Sequence, residues 1–313
     1  MRAVFYESYG PIERLQLGDL QPPLPRADEL LVRVTRAALN PKDALFRKGR
    51  FRIISGSGFP KRCGLDFAGM VAESRSPHFQ KDQRVFGMLD EWTFRRGSLG
   101  EYVVCRDIEA AALPDGVSDE TGAGAALVGL TALQALRDIG KVQAGTRVLI
   151  HGASGGVGTF AIQIARLLGA EVHTTSSERN FELCRRLGAS QTWDYASSAL
   201  ADSSPHYQVI FDVFGNLSFA KVRPWISGRG MLIGTVPGLR RVARDLLTRF
   251  ASAEERLVIV RPRRADLEQL AAWLAQGRLE TVIDSRFPLA QFHDAFRVLE
   301  SKHARGKIIL EVS

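Results

Sequence analysis

A glycine-rich turn is the first feature of this 313-residue sequence whose residue types and spacing suggest chemistry. The run from Val148 to Gly158 reads VLIHGASGGVG; it follows an apolar strand-like pattern and opens a helical one. Small residues at such a turn let backbone N–H groups approach a pyrophosphate, whose charge the helix N-terminus stabilises. Gly158 would allow close packing of helix and strand, although Ala153 replaces the first glycine of the usual dinucleotide fingerprint. The residues expected to bind the cofactor here are Ser154, Gly155, Gly156 and Val157.

The same turn also fits a second chemistry. Residues 152–156 match G-x-S-x-G, the nucleophile elbow of serine hydrolases, with Ser154 as the nucleophile. A hydrolase would further need an acid and then a histidine along the chain, for which Asp212 and either His293 or His303 are the candidates. Both histidines lie in or beside helical patterns typical of a protein surface. This counts against the hydrolase alternative but leaves it open.

The end of the next strand-like segment separates the possible cofactors. An NAD enzyme carries Asp or Glu there, about 20 residues after the turn, to bind the ribose 2′-hydroxyl. This chain instead offers hydroxyl and guanidinium donors, which suit a 2′-phosphate and predict NADPH. Glu178 would repel a phosphate if its side chain turned inward. Arg179 would also suit the exposed start of a helix, and Tyr195 would suit an aromatic position on an edge strand. The donors are Ser176, Ser177, Arg179 and, after the next short strand, Tyr195.

The pattern of elements around these residues predicts an α/β protein. Up to residue 120, short apolar runs broken by Gly, Pro and Asp indicate a mainly β module. From 121 to 260, strands and helices alternate, which predicts a doubly wound parallel sheet whose last strand is residues 257–260. Residues 261–313 predict two helices and a final strand at 307–312 that returns to the N-terminal module.

Composition excludes several classes of protein. The net charge of +8 suits a phosphorylated cofactor, but no basic stripe is interleaved with aromatics, so nucleic-acid binding is not expected. The longest apolar stretch, residues 123–136, is too short for a membrane span, and the N-terminus lacks a signal-peptide pattern. Cys63, Cys105 and Cys184 lie too far apart for a disulfide framework or a cysteine zinc lobe. We therefore expect a cytoplasmic, metal-free protein.

Several short segments match one known family in order and over nearly the whole length. They are residues 40–43 (NPKD), 64–69 (GLDFAG), 82–87 (DQRVFG), 97–102 (GSLGEY), 129–132 (GLTA), 153–158 (ASGGVG), 187–189 (LGA) and 305–307 (RGK). Together they resemble the zinc-independent quinone oxidoreductases of the medium-chain dehydrogenase/reductase superfamily. The resemblance implies a GroES-like catalytic domain in residues 1–120 and 261–313, a Rossmann NADP(H)-binding domain in residues 121–260, and a homodimer. Residues 176–180, Asn180 among them, and Tyr195 resemble the part of the family that binds NADPH.

The chain departs from the zinc alcohol dehydrogenases of that superfamily. They carry a cysteine ligand near the position of Asn40 and Gly-His-Glu where this chain has residues 64–66, Gly-Leu-Asp. Neither Asn40 nor Leu65 is a zinc ligand, so no Lewis acid would polarise an alkoxide. The favoured chemistry is hydride transfer from NADPH to a small electrophilic acceptor, either a quinone or an α,β-unsaturated carbonyl.

Individual roles follow from this chemistry. Asn40 is a candidate donor to the developing enolate, and it suits equally well a turn before a proline. Asp43 and Asp66 would orient that amide or relay a proton, or else cap a helix or fix a turn. Thr131 would touch the nicotinamide ribose, and Lys307 would reach the cofactor or only follow a turn. Since no residue stands out as a general acid, solvent would supply the proton.

Two further alternatives stay open. One is an NADPH-binding sensor or regulatory protein with little turnover. The other is polyketide-type enoyl reduction, which would want a basic docking patch for a carrier-bound substrate. The sequence does not identify the acceptor.

Overall fold

The computed structural model describes residues 1–203, 206–249 and 251–312. The N-terminal segment is mainly β, with short helices. Its strands are β1 (Arg2–Tyr6), β2 (Gln16–Asp19), β3 (Glu29–Ala38), β4 (Lys61–Arg62), β5 (Asp66–Ser74), β6 (Arg84–Met88), β7 (Tyr102–Arg106) and β8 (Ala110–Ala112). Its helices are α1 (Pro41–Arg47), α2 (Arg52–Ser55) and α3 (Asp119–Leu133), the last continuing as a π-helical turn at Gln134–Ile139.

The middle of the chain forms a doubly wound parallel sheet. Its strands are β9 (Arg147–His151), β10 (Glu171–Ser176), β11 (Gln191–Asp194), β12 (Tyr207–Asp212), β13 (Ile226–Gly234) and β14 (Glu254–Leu257). Its helices are α4 (Gly156–Leu167), α5 (Phe181–Leu187), α6 (Ala199–Asp202), α7 (Phe219–Val222) and α8 (Leu239–Leu247). Over the described residues the strand order is β11-β10-β9-β12-β13-β14, with every pair parallel. This order reverses between β9 and β12, and ligands of such sheets bind at the carboxyl ends of the strands at that point.

The predicted strand at residues 257–260 is wrong. The edge strand is the polar segment β14, and Val258 only adds one bond from its N–H to the Gly234 carbonyl. Ion pairs stabilise the polar segment β14 as the edge strand of the sheet, because Glu255 accepts from Arg241 and Arg244 of the neighbouring helix α8. Sequence patterning favoured the apolar run since it carries no information about these pairs.

The C-terminal segment returns to the N-terminal sheet. It comprises α9 (Arg264–Ala275), β15 (Ile283–Pro288), α10 (Phe292–Ser301) and β16 (Lys307–Glu311). β16 runs antiparallel to β3, with Ile309 opposite Ala38, and β3 in turn pairs with β5. The last strand therefore brings Lys307 to the end of β3.

The chain divides into two compact units, Met1–Leu130 with Arg261–Ser313, and Thr131–Val260. The first boundary falls inside α3, whereas the sequence placed it at 120/121. The first half of α3 is bonded within the first unit, since Asp119 accepts from Arg84 and the Leu127 N–H donates to Asp66. Among the described residues, no helix combines the length and the apolar character needed to cross a bilayer.

Candidate active site

A buried cluster of charged and amide side chains lies in the first unit. Asn40 follows β3, Asp66 opens β5 and Lys307 opens β16, so the two pairings of β3 bring these distant positions together. Their exposed fractions are 1%, 0% and 3%. Charges so deeply buried are rare unless they are paired and hydrogen-bonded.

Lys307 uses its ammonium group entirely within this cluster. Its Nζ donates to the Leu39 carbonyl at 3.0 Å, to Asn40 Oδ1 at 2.7 Å and to Asp66 Oδ2 at 3.0 Å. An ammonium has three donors, and all three are therefore engaged. That Lys307 reaches the cofactor stays a prediction; in the structure its ammonium lies beside Asn40 and Asp66, as the counter-ion of a carboxylate.

The Asn40 amide is committed in the same way. Its Nδ2 donates to Asp66 Oδ2 at 2.9 Å and to the Ala38 carbonyl at 3.4 Å, while its Oδ1 accepts from Lys307. A buried amide with these partners has no hydrogen left for a substrate oxygen. The donor role expected of Asn40 stays a prediction, and it would require the amide to give up one of these two bonds.

Asp43 fixes the first turn of α1. Its Oδ2 accepts from the Asn40 backbone N–H at 2.8 Å and its Oδ1 from the Gly64 N–H at 3.2 Å. Burial raises the pKa of Asp43 from 3.8 to about 7, and the negative charge of Asp66 adds to this effect. Burial also raises the pKa of Asp66, against the lowering effect of Lys307. Lys307 contacts Asp66 directly, whereas Asp43 accepts hydrogen bonds from two backbone N–H groups.

Lys42 is a candidate functional residue that the sequence analysis missed. It follows Pro41 in α1, and its ammonium lies 4.0 Å from the ring centroid of Trp92 and 5.6 Å from that of Phe46. Burial lowers its pKa, partly offset by nearby carboxylates. A half-buried cation with a shifted pKa on an aromatic wall is typical of a functional site. The sequence offered one indication of this residue, since Lys42 directly precedes Asp43 in the segment NPKD.

The aromatic wall is a set of packed rings in the first unit. Phe46 stacks on Phe94 with centroids 4.5 Å apart, and it contacts Phe51 at 4.9 Å and Trp92 at 5.9 Å. Phe46 and Phe94 are fully buried, whereas Phe51 and Trp92 are partly exposed. Such a wall suits a planar, apolar molecule.

The glycine turn of the second unit has the form that a pyrophosphate needs. Gly152 has φ +82°, a conformation that favours glycine. A Cβ on Gly155 would meet only the Gly152 carbonyl at 3.8 Å, so space lies open above the start of α4. A Cβ on Gly158 would instead lie 2.5 Å from that carbonyl. Helix and strand therefore approach as closely as the dinucleotide-binding turn requires.

The donors expected near the end of β10 differ in their exposure to solvent and in their hydrogen-bond partners. Ser176 is buried, and its hydroxyl donates to the Ser177 carbonyl. Arg179 is exposed, and Tyr195 is 64% exposed just after β11. Asn180 is buried and donates to Ser154 and Ser177.

Two carboxylates lie near these donors. Glu178 is exposed next to Arg179, and Asp194 ends β11 in register with Ser176. Only Glu178 was expected from the sequence to lie near a bound phosphate. Asp194 Oδ1 accepts from the Ala196 N–H and so fixes the turn that contains Tyr195. Thr131, expected near the nicotinamide ribose, is buried within α3 at the start of the second unit.

The serine-hydrolase alternative gains no support from the second unit. Ser154 Oγ accepts from Asn180, while His151 contacts Thr175 and Asn216 through its two ring nitrogens. Asp212 is buried and accepts two backbone N–H groups and the Arg241 guanidinium, so it stabilises the fold.

Comparison with known proteins places the chain in a family. The family model described as "Alcohol dehydrogenase GroES-like domain" matches residues 26–120, and the model described as "Zinc-binding dehydrogenase" matches residues 187–310. A spinach (Spinacia oleracea) protein named quinone-oxidoreductase homolog, chloroplastic, is 31% identical over 99% of this chain and 98% of its own length. The chain belongs to the quinone oxidoreductase branch of the medium-chain dehydrogenase/reductase superfamily.

Two further comparisons agree with this assignment to the quinone oxidoreductase branch. An Arabidopsis thaliana protein named NADPH-dependent alkenal/one oxidoreductase is 30% identical over 99% of this chain and 79% of its own. The solved structure of the quinone oxidoreductase from Coxiella burnetii has a TM-score of 0.92 and 27% identity, covering 100% of this chain and 99% of that one. The first unit is accordingly the GroES-like domain, and the second is the Rossmann domain.

The residues at the superfamily's zinc position do not fit zinc in this quinone oxidoreductase homologue. Asn40 is consumed by hydrogen bonds, and Leu65 is a buried apolar side chain. Across the described ranges, no group of three His, Cys, Asp or Glu side chains is arranged to hold a metal ion. Burial also raises the pKa of Cys63 and of Cys105, so neither is set up as a thiolate ligand.

Replacing Lys307 by Met should strongly destabilise the GroES-like unit. Asp66 would remain buried without its counter-ion, which costs about 3–5 kcal/mol. Urea unfolding measures this loss. The matched control is the double variant Asp66→Asn, Lys307→Met, which buries no uncompensated charge and should recover part of the stability. A loss below about 1 kcal/mol in Lys307→Met would contradict the assigned pairing.

Asp43 should make stability fall as pH rises. The folded protein retains the Asp43 proton up to pH about 7, whereas the unfolded chain loses it near the ordinary value of 3.8. The folded state therefore binds more protons between these values, and the free energy of unfolding decreases as pH increases. Asp43→Asn should remove this contribution, so the stability difference between wild type and variant should shrink from pH about 4 to about 7. Asp19→Asn, at an exposed position in β2, is the control, and a pH-independent difference would refute the raised pKa.

Proposed function

We propose that this protein transfers hydride from NADPH to a quinone or an α,β-unsaturated carbonyl, without a metal ion. The observation that carries the proposal is the half-buried ammonium of Lys42 on an aromatic wall, beside a superfamily metal position whose residues are otherwise engaged. An acceptor that is already electron-poor needs a cation or a hydrogen-bond donor and a proton, and no Lewis acid. Such a wall suits flat, conjugated acceptors better than saturated alcohols.

NADPH rather than NADH is the cofactor in this proposal. Support comes from the hydroxyls of Ser154 and Ser177 and the exposed guanidinium of Arg179, which are donors for a phosphate. The relative named as NADPH-dependent points the same way. The backbone at Gly155, Gly156 and Val157, partly exposed at the start of α4, would hold the pyrophosphate.

The reaction requires charge stabilisation at one oxygen. When bound, the reduced nicotinamide supplies a hydride, one hydrogen with two electrons, to the electron-poor end of the acceptor. Lys42 lies on the aromatic wall where it can stabilise the oxygen that becomes negative, and it can then give that oxygen a proton. Its lowered pKa favours this proton transfer, because the cost of losing the proton is smaller.

The buried cluster serves this chemistry by positioning. Asp43 accepts from the Asn40 N–H and fixes the first turn of α1, from which Lys42 projects. The Lys307–Asp66 pair holds the Asn40 side chain in turn. We assign Asn40, Asp43, Asp66 and Lys307 to this positioning role.

Assembly and compartment complete the proposal. A homodimer is expected from the family, and a reducing, cytoplasmic setting is expected because Cys63, Cys105 and Cys184 are all free and buried. Sedimentation velocity and localisation of a tagged protein test the two statements.

The proposed reaction predicts a defined acceptor profile. With a chelator present, the protein should oxidise NADPH in the presence of 1,4-benzoquinone, 9,10-phenanthrenequinone, an enone or a 2-alkenal, and should not do so with a saturated ketone. Absorbance of the reduced nicotinamide follows the reaction, and NADH is the paired comparison. Tight NADPH binding without turnover of any acceptor would refute the enzyme and favour the sensor.

Lys42→Met should lower kcat with an enone by roughly 100-fold, the usual effect of losing one donor to a developing oxyanion. NADPH affinity should stay unchanged, and Lys42→Arg should restore part of kcat because the charge returns. Since the protonated amine is the active form, the rate of the wild type should fall on the alkaline side, and the arginine variant should lack that fall. Lys48→Met, at the exposed end of the same helix, is the matched control. Unchanged kcat in Lys42→Met would exclude this residue.

A further inference from the structure

Asn180 joins two loops at the cofactor end of the Rossmann unit. Its Nδ2 donates to Ser154 Oγ in the glycine turn at 2.9 Å and to Ser177 Oγ at the tip of β10 at 3.0 Å. The side chain is only 5% exposed, and over the described residues its Oδ1 has no hydrogen-bond partner. The amide is thus held by the two bonds that it gives to the serines.

These bonds decide what the two hydroxyls offer to a ligand. A serine hydroxyl has one hydrogen to donate and two lone pairs to accept with. Because Asn180 fills a lone pair on each oxygen, the hydrogen of each hydroxyl is left for another partner. Ser154 and Ser177 are both partly exposed, so such a partner can approach from solvent.

The two serines are also close enough to act on one group. Both oxygens lie within hydrogen-bond distance of a single nitrogen, so one phosphoryl group can contact both. A phosphate monoester carries acceptor oxygens only, and it binds where donors converge. The nearby carboxylates of Glu178 and Asp194 would repel an anion, which gives correctly directed neutral donors more weight.

We propose that Asn180 determines the preference for a 2′-phosphorylated ribose by directing the hydroxyl hydrogens of Ser154 and Ser177 toward the phosphate. This inference rests on the proposed NADPH dependence and deepens it. Asn180 is thus proposed as a positioning residue that acts through the two serines; that it also binds the cofactor itself stays a prediction.

The test compares adenosine 2′,5′-bisphosphate with adenosine 5′-monophosphate, whose affinities are measured by calorimetry without turnover. Asn180→Asp has the same shape but only accepts hydrogen bonds, so both serines would turn their hydrogens toward residue 180. The ratio of the two affinities should fall on the order of tenfold to a hundredfold, the range expected for bonds to a charged group. An unchanged ratio in a folded Asn180→Asp protein would overturn the inference.

A double-mutant cycle keeps the test informative if Asn180→Asp folds poorly. Ser154→Ala and Ser177→Ala alter partly exposed hydroxyls, and each should lower the same ratio. Asn180→Ala should lower it in the wild type and cause no further change when both serines are already alanine. A further loss in that background would show that Asn180 acts by another route and would overturn the inference.

Controls separate this inference from the proposed function. Ser190→Ala removes the hydroxyl of an exposed residue that donates to the Val172 carbonyl. This position lies near the starts of β10 and β11, away from the strand ends that carry the serine site, so the variant should leave the ratio unchanged. If the wild type shows no preference for the bisphosphate, NADPH dependence and the role of Asn180 both fail. If the wild type shows the preference and the Asn180 variants retain it, only the role of Asn180 fails.

Discussion

The buried ion pair between Lys307 and Asp66 is the interaction on which the GroES-like unit most depends. An ammonium and a carboxylate removed from water are tolerated only when each is paired and its remaining hydrogen-bonding capacity is filled. Asn40 fills part of that capacity on both sides, since its amide donates to Asp66 and accepts from Lys307, and the backbone of Leu127 and Leu39 fills the rest. The last strand must therefore return beside β3, and the first turn of α1 is fixed with it. A superfamily position that elsewhere carries a metal ligand is occupied here by a side chain engaged in structure.

In the Rossmann unit, the proposed cofactor site depends on which atom donates and which accepts in each hydrogen bond. The turn after β9 and the tip of β10 each offer a serine, and serine can donate or accept. One buried amide, Asn180, accounts for the direction of both by donating to them. In both units, then, a buried asparagine holds the neighbours that form a functional surface: Asn40 holds the Lys307–Asp66 pair, and Asn180 holds the two serines.

Sequence reasoning reached the class of fold because strand and helix periodicity are local properties. The glycine turn after β9 and the final strand beside β3 lie where the patterns placed them. The edge strand was misplaced because the polar residues of β14 are stabilised by ion pairs with α8, which no local pattern shows. The mutual contacts of Asn40, Asp66 and Lys307 were not fully predicted for a related reason: the partners of a buried side chain are set by tertiary pairing. Lys42 escaped notice because only the structure shows its ammonium on the faces of aromatic rings.

The proposed function depends most on one step, hydride transfer to the β-carbon of an electron-poor acceptor. The most direct measurement is the fate of deuterium carried at C4 of the nicotinamide of NADPH, followed by mass spectrometry and NMR of the product formed from an enone. The product should be a saturated ketone that carries one deuterium at the β-carbon and a hydrogen from solvent at the α-carbon. An allylic alcohol with deuterium at the carbonyl carbon, or a product without deuterium, would contradict it.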